Sequence, residues 1–329
     1  MPQTTPDIEV IKKALLLACR APSIHNSQPW HWVSEGAVLN LFVDRRRWVR
    51  GTDRSGREAI ISCGAVLDHL RIAMAAAGWR ATINRFPNPD DPDHLAVIEF
   101  SPLDVVTATQ RKCAEAILQR RTDRLPLGRP AHWASFEPVL RRSVAGSVAM
   151  LDVLGDEVRP QLAKASELTA ALRRDDASYH AELQWWTSSF ALSAGIPPDA
   201  LASETEQQRV DVARDFPARG HADRRPEMPV DWAMILVLST AEDTRAEVLG
   251  CGEALSTVLL ECTMAGMATC TLTHLIEVDA SRELVRGLIG ERAQPQVLIR
   301  VGIAPPMENL PAATPRLPLD EVLEIRSPR

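Results

Sequence analysis

Hydrophobic residues along the first third of the chain fall in patterns that predict two helices and two strands. Ile8–Arg20 has apolar residues at helical spacing behind Asp7, a suitable N-cap, and it ends before a proline, which disfavours helical geometry in the preceding residue. Gly56–Gly78 is a long apolar helix that ends on a glycine suited to the C′ position. The short apolar runs Val38–Val43 and Leu95–Phe100 are typical of strands.

The last third of the chain has a similar order of apolar segments. It predicts a strand at Trp232–Thr240, a buried helix at Thr244–Gly266 and a strand or extended loop at Cys270–Leu275. A helix at Ser281–Gly290, with Ser281 as its N-cap, and a final strand at Gln296–Ile303 follow.

The two long helices are similar in sequence. A shift of 188 positions aligns them without a gap and places Arg57 on Arg245, Cys63 on Cys251, Gly64 on Gly252, Leu67 on Leu255, Ala77 on Ala265 and Gly78 on Gly266. Such identities can arise by chance in alanine-rich helices, but the shared order of flanking elements favours an internal duplication. A glycine inside a helix costs about 1 kcal/mol relative to alanine, so its recurrence predicts that the two helices approach each other closely.

The segment Arg173–Pro229 has no counterpart in the other half. It contains Trp185-Trp186 and Gly195-Ile196-Pro197-Pro198, and it predicts a helix followed by a long irregular stretch. Excursions of this length are usually functional lids or mobile insertions. A peripheral packing arm is the alternative, and the residues alone do not decide between them.

Composition indicates an ordinary folded protein of 329 residues, with 45% hydrophobic and 24% charged residues. The net charge of −6 argues against a protein that coats nucleic acid, so no nucleic-acid partner is expected. Six cysteines without a CxxC pair predict reduced, mostly buried thiols. We expect a soluble, cytoplasmic protein without a membrane partner, because the sequence shows neither a signal peptide nor an apolar run of the roughly 18 residues that a membrane span needs.

Several common catalytic motifs are absent from the sequence. There is no GxxxxGK[ST] phosphate loop, no HExxH and no GxSxG, and the eight histidines do not pair at metal-ligand spacing. We therefore expect no metal site and no catalytic side chain of the nucleophile type.

Two polar segments are candidates for ligand binding. Ala21–Trp30 (APSIHNSQPW) brackets Ser, Asn and Gln between two prolines, which suits a flat heteroaromatic ligand with donor and acceptor edges, although a capped turn explains it equally well. Arg120–Arg124 (RRTDR) follows a predicted helix and suits a dianionic phosphate. Because 33 of the 37 basic residues are arginine, a solvated helix end is the alternative there. Thr314–Pro318 (TPRLP) holds a lone arginine between prolines and by itself is uninformative.

Together these segments resemble the FMN-dependent nitroreductase family, and most closely its Acg-type NAD(P)H nitroreductases, in which two nitroreductase-like halves share one chain. Ala21–Trp30 matches the family's APSxxNxQPW at every fixed position, and Arg120–Arg124 resembles its phosphate-binding RRSxR with Thr122 in place of serine. Thr314–Pro318 resembles the C-terminal basic segment that closes on the same phosphate. Gly266–Leu275 resembles the stretch whose backbone passes the flavin ring near N5.

The resemblance implies an α+β, nitroreductase-like fold built by tandem duplication into an intramolecular pseudo-dimer. It implies a first half at residues 1–110 and a second half at 111–329, with a lid-like insertion at about 173–229 and one interlocked core. Family members are homodimers with two FMN sites, whereas here the proline-bracketed loop occurs only in the first half and the RRTDR and TPR segments only in the second. One composite FMN site per chain, in a monomeric protein, is therefore expected.

The resemblance also implies the residues of the FMN site. Arg120, Thr122, Arg124 and Arg316, with the adjacent Arg121, would hold the phosphate. The ring and ribityl chain would be bordered by Pro22, Ser23, Asn26 and Gln28, and approached near N5 by the backbone of Thr271, Leu272, Thr273 and His274.

Two functions are compatible with such a site. The first is an FMN-dependent oxidoreductase that uses NAD(P)H to reduce a small-molecule acceptor of the nitro or quinone type, with the chemistry carried by the flavin and no catalytic side chain. The second is a flavin-binding or flavin-sequestering protein in which the insertion covers the FMN and turnover is slow or absent.

Overall fold

The computed structural model describes residues 5–188, 193–217, 222–307 and 311–327, in which ten α-helices pack with two β-sheets. The helices are α1 (Ile8–Ala18), α2 (Arg57–Ala76), α3 (Ala108–Gln119), α4 (Trp133–Val144), α5 (Arg159–Arg173), α6 (Ala177–Trp186), α7 (Glu204–Gln208), α8 (Arg245–Met264), α9 (Asp279–Leu288) and α10 (Leu319–Val322).

The first sheet has five strands, and one of them comes from the C-terminal end of the chain. Its order is β3-β4-β2-β1-β9, and every pair is antiparallel except β1 with β9. The strands are β1 (Trp30–Glu35), β2 (Val38–Val43), β3 (Trp79–Arg85), β4 (His94–Pro102) and β9 (Leu323–Arg326).

The second sheet repeats the arrangement of the first four of these strands. Its order is β5-β6-β8-β7, fully antiparallel, with β5 (Met150–Leu154), β6 (Met234–Thr240), β7 (Ala268–Leu272) and β8 (Gln294–Gly302). Read from the other edge, β7-β8-β6-β5 corresponds strand for strand to β3-β4-β2-β1. The central pair of each sheet also has a register shift, between Leu41 and Phe42 in β2 and between Leu238 and Ser239 in β6.

Helices α2 and α8 cross at the paired glycines. A Cβ at Gly64 would overlap the carbonyl oxygen of Leu249, and a Cβ at Gly252 would overlap that of Ile61, so the backbones touch where the glycines meet. One turn further on, Ser256 Oγ donates to Asp68 Oδ2 at 2.6 Å, a pair again 188 positions apart. Equivalent residues of the two helices thus face each other, as in a contact with two-fold symmetry.

One hydrophobic cluster spans both halves of the chain. Leu15, Trp32 and Leu67 belong to the same buried cluster as Val258 and Ile299. Strand β9, near the C-terminal end of the chain, also joins the first sheet, so the N-terminal and C-terminal parts of the chain are packed together.

Most predicted elements are confirmed, and two expectations need correction. Asp7 caps α1 by accepting a hydrogen bond from the Glu9 backbone N–H at 2.9 Å, as predicted. Ser281 is not the N-cap of its helix: α9 begins at Asp279 and is preceded by Val278, and Ser281 Oγ donates back to the Val278 carbonyl from within the first turn. The second correction concerns the expectation that no apolar segment is long enough to span a membrane. By length and composition alone, α2 is long and apolar enough to do so. However, 83% of the apolar 18-residue stretch in this helix is buried inside the protein, which is typical of a core helix.

The insertion is more ordered than predicted. Besides α6 and α7 it contains a short 3-10 helix at Pro198–Ala200. Its fully buried Arg225 donates to Asp123 Oδ2 at 2.5 Å and to the Pro126 carbonyl at 2.9 Å, which fixes this part of the insertion to the segment after α3.

Candidate functional site

A cavity lies where the loop after α1, the end of β7 and the insertion meet. We call it the central cavity. Residues of all three segments line it, together with the first turns of α2 and the segment after α3. Among the residues implied by the family resemblance, those in the lining are Pro22, Ser23, Thr122, Arg124, Thr271, Leu272, Thr273 and His274.

The loop after α1 has an unusual backbone. His25, Asn26 and Gln28 have φ of 47°, 57° and 53°, in the left-handed region that side chains other than glycine seldom adopt. Local bonds hold this conformation: Ser23 Oγ accepts from the Gln28 N–H at 3.0 Å, and Ser62 Oγ of α2 accepts from the Ile24 N–H at 3.2 Å. Conformations of this kind cost of order 1–3 kcal/mol each and cluster at functional sites.

Asn26 and Gln28 lie outside the described cavity lining. Asn26 Nδ2 donates to the carbonyls of Gly195 and Pro315, both at 3.0 Å. Gln28 Nε2 donates to the Ser193 carbonyl at 3.1 Å, and its Oε1 accepts from the Leu317 N–H at 3.0 Å. Both amides therefore fasten the insertion and the C-terminal segment to the loop.

The side chains of the segment after α3 point alternately to the two sides of its extended backbone. The helix ends at Gln119, and the chain continues as an extended segment in which Thr122 bridges Thr269. Side chains alternate along extended backbone, so Arg120, Thr122 and Arg124 share one side. Arg121 lies on the other side, where it is exposed and donates to the Pro311 carbonyl at 2.7 Å.

Arg124 is the arginine of this segment that lines the cavity. Its guanidinium lies 5.3 Å from the ring centre of Phe216, a residue of the insertion, and donates to the Ala200 carbonyl at 3.4 Å. Burial lowers the pKa of Arg124.

Three guanidiniums gather at the C-terminal end of α1, beside the loop that borders the cavity. We call Arg20, Arg120 and Arg316 the arginine trio. Arg120 is buried and the other two are half-buried. Arg316 donates to the carbonyls of Cys19, Arg20 and Ala21, and Arg120 donates to the Arg20 carbonyl at 3.4 Å. Among the described residues Arg120 Nε has no partner.

The trio has an unbalanced positive charge. Within the described ranges, no carboxylate forms a salt bridge with any of its members. Burial, followed by the neighbouring guanidiniums, lowers the pKa of Arg120 to about 10 and that of Arg316 to about 9. A group of cations that depress each other's pKa favours a bound anion.

The segment after β7 forms another wall of the cavity. His274 Nε2 lies 2.8 Å from Ser166 Oγ, and burial, with the charge of Arg214, lowers the pKa of the imidazole well below its usual range. Thr273 Oγ1 donates to Glu277 Oε1 at 2.8 Å. His274 is therefore neutral at physiological pH.

The insertion forms the remaining wall. Ile196, Val210 and Phe216 line the cavity, and Phe216 meets the His25 ring edge-on with 6.2 Å between ring centres. Arg214 forms a buried ion pair with Glu277 and donates to Thr273 Oγ1 at 3.1 Å. The insertion is thus bonded to the segment after β7.

Sequence reasoning missed three charged residues of the cavity lining, Glu58, Arg214 and Arg300. Glu58 carried a weak signal, because it is an acidic residue in the first turn of a largely apolar helix, although Asp68 shares that feature further along the same helix. Arg214 carried none, because arginine is common throughout the chain.

Comparisons with known proteins agree with the resemblance seen in the sequence. No protein-family model matches the chain. The protein named "Putative NAD(P)H nitroreductase acg" of Mycobacterium tuberculosis is 56% identical over 327 residues, which cover 99% of both chains. The uncharacterized protein Rv3127 of the same organism is 63% identical over 321 residues, 96% of this chain and 93% of the relative.

The chain belongs to the family of NAD(P)H nitroreductases that includes acg of Mycobacterium tuberculosis. A third relative there, "Putative NAD(P)H nitroreductase Rv3131", is 37% identical over 97% of this chain and 92% of its own length. Among solved structures, an FMN-bound nitroreductase from Desulfitobacterium hafniense is a distant neighbour, with 12% identity and a TM-score of 0.42 over 65% of this chain and 98% of the other.

Proposed function

We propose that this protein is a flavoprotein of the nitroreductase type that binds one FMN per chain in the central cavity. NAD(P)H is the proposed reductant, and the proposed substrate is a small-molecule electron acceptor of the nitro or quinone class. The observation that carries the proposal is the arginine trio, a set of guanidiniums without an acidic partner among the described residues. None of the three lines the central cavity, but they lie beside the loop whose Pro22 and Ser23 do.

The trio fits the phosphate end of FMN. Guanidiniums bind phosphate oxygens through charge-assisted, often bidentate hydrogen bonds, and the unpartnered Arg120 Nε is a donor of this kind. Thr122 adds a hydroxyl on the same side of its extended segment. Arg316 reaches the carbonyl of Ala21, the residue before Pro22, so this end lies next to the part of the loop that lines the cavity.

The cavity walls fit the ring end. Pro22 and Ser23 stand on one wall and the segment Thr271–His274 on another, with Arg124 on the same side as Thr122. Bound FMN would supply hydride transfer between NAD(P)H and the acceptor. The residues of this chain would position the ring, exclude water and supply hydrogen bonds, since His274 is neutral and Arg124 remains a donor.

The symmetry of the two sheets supports a duplicated chain with one site. The matching strand order and the glycine contact between α2 and α8 support two related halves, at 1–110 and 111–329. Under the shift of 188 positions, the cavity-lining Ser62 corresponds to Gly250, and there the side chain of Val148 occupies the position that a Cβ would take. Val148 therefore packs where the equivalent of the Ser62 side chain would lie, which supports a chain with a single FMN site.

A flavin-sequestering role is the second candidate, and the insertion supports it. Hydrophobic residues of the insertion stand in the cavity lining, and its backbone accepts hydrogen bonds from Asn26 and Gln28. The buried pair of Arg214 with Glu277 adds a further attachment. An insertion seated in this way would leave little room for a nicotinamide above the flavin.

The two candidates differ in their response to NADPH. We expect the FMN-loaded protein to be yellow and to bleach within about 1 s of anaerobic mixing with NADPH, as a turnover of ordinary enzymatic speed requires. A spectrum that stays unchanged with NADPH but bleaches with dithionite supports sequestration instead. A protein that takes up no FMN contradicts both.

A further inference from the structure

Glu58 stands in the wall between two cavities. It lines the central cavity, and it also lines a second, polar cleft together with Asp53, Arg57 and Glu277. The lining of the polar cleft includes the exposed residues Arg54 and Asp279, so the cleft opens to solvent. The Glu58 side chain is 2% exposed and belongs to the first turn of α2.

The carboxyl group of Glu58 is free of strong partners. Over the described part of the chain, Glu58 Oε2 has no hydrogen-bond partner. Its Oε1 lies 3.5 Å from Arg57 Nη2, which donates at a shorter 2.9 Å to the Ile276 carbonyl.

The two neighbouring acids are already engaged. Asp53 Oδ2 accepts from the Ala59 N–H at 2.9 Å and so caps the N-terminus of α2. Glu277 is paired with Arg214 and accepts from Thr273 Oγ1. In the described part of the chain, Asp53 and Glu277 thus each accept a hydrogen bond of 2.9 Å or shorter, whereas the contact of Glu58 with Arg57 is 3.5 Å long.

The charges around Glu58 favour its neutral form. Burial, then the charges of Glu277 and Asp53, raise the pKa of Glu58 well above its usual value, against the opposing effect of Arg57 and Arg214. The facing imidazoles of His25 and His274 add no positive charge at neutral pH, because burial lowers the pKa of both. These surroundings favour the protonated form of Glu58.

We propose that Glu58 is the proton-transfer residue of the central cavity, taking protons from solvent in the polar cleft and giving them to the molecule that is reduced in the cavity. This inference rests on the proposed FMN site. A quinone that accepts a hydride on one oxygen must also accept a proton on the other to leave as hydroquinone. The Glu58 O–H bond breaks to supply that proton, and a hydronium ion in the cleft reprotonates the carboxylate.

The pH dependence of stability tests the protonation of Glu58 without flavin. A carboxyl group whose pKa is raised by folding contributes stability that is full at acid pH and is lost as the pH rises through the folded pKa. Gln is neutral at every pH, so Glu58→Gln should raise the melting temperature of the flavin-free protein above neutral pH, by an amount that grows with pH. Glu277→Gln, which breaks a buried ion pair, should lower the melting temperature throughout. A Glu58→Gln protein that melts below the wild type at every pH overturns the proposal.

Proton uptake tests the transfer itself. The FMN-loaded protein is reduced with dithionite and mixed with 1,4-benzoquinone, while a pH-indicator dye follows the proton. In the FMN-saturated protein, Glu58→Gln should slow proton uptake by roughly 10²-fold or more, and Glu58→Asp should recover part of the rate. Equal rates for Glu58→Gln and wild type overturn the proposal. If the chain binds no FMN, the proposed function fails, and the stability measurement still decides whether Glu58 carries the proton.

Discussion

Replacing Arg120 and Arg316 together by alanine is expected to weaken FMN binding by roughly 10²–10⁴-fold and to leave riboflavin binding nearly unchanged. Each arginine that donates to a phosphate contributes about 1.5–3 kcal/mol, and about 1.4 kcal/mol corresponds to a factor of ten in affinity. Riboflavin lacks the phosphate, so it does not use these donors. Fluorescence titration of the flavin-free proteins with both ligands measures the two affinities.

Comparing the FMN and riboflavin affinities distinguishes the loss of phosphate contacts from a damaged fold. A variant that folds poorly loses both ligands, whereas a variant without its phosphate site loses only the preference for FMN. Arg121→Ala is the matched control, because Arg121 belongs to the same RRTDR segment but is exposed on its other side. Retention of the full FMN preference after removal of Arg120 and Arg316 would show that the trio does not bind phosphate.

Gly64→Ala is expected to lower the free energy of unfolding by about 3 kcal/mol. The new methyl group would overlap the Leu249 carbonyl oxygen, and backbone cannot move aside as a flexible side chain can, so α2 and α8 must separate. The same separation disturbs the core shared by both halves and the first turns of α2, which line the central cavity. Denaturant unfolding followed by circular dichroism measures the change.

A second glycine provides a control of opposite sign. Gly287 also lies in a helix, α9, but a Cβ there meets nothing within 4 Å. Gly287→Ala should therefore raise the free energy of unfolding by about 0.5–1 kcal/mol, because alanine has the higher helix propensity. Equal effects of the two substitutions would contradict the close helix contact.

The sequence predicted the parts of the fold that depend on local pattern. Helices α2 and α8 could be predicted because each is a long apolar segment with clear ends. Their paired glycines indicated the close contact between them. Strands β1, β3 and β5 were missed. Strand β1 follows directly on the proline-bracketed loop, and β3 alternates apolar residues with arginine, threonine and asparagine. The strand from the C-terminal end, β9, pairs with β1 across nearly the whole chain, and such pairing has no local signal.

For the candidate site, the sequence indicated which segments contribute residues better than it indicated where their side chains lie. RRTDR was identified as one cluster, but its members separate because the chain becomes extended after Gln119, and that transition is set by the bridge to Thr269. The hydrogen bonds of Asn26 and Gln28 depend on Pro315 and Leu317, both 289 positions away, so no local pattern could reveal them. The raised pKa of Glu58 comes from burial and then from the charges of Glu277 and Asp53, and Glu277 is more than 200 positions away in the sequence.

Equilibrium dialysis of FMN against the purified chain tests the central claim most directly. We predict saturation at one FMN per chain, because the proposed site residues form a single set and Val148 packs where the equivalent of the Ser62 side chain would lie. Saturation at two FMN per chain would contradict the single site. No uptake at all would contradict the flavin site itself.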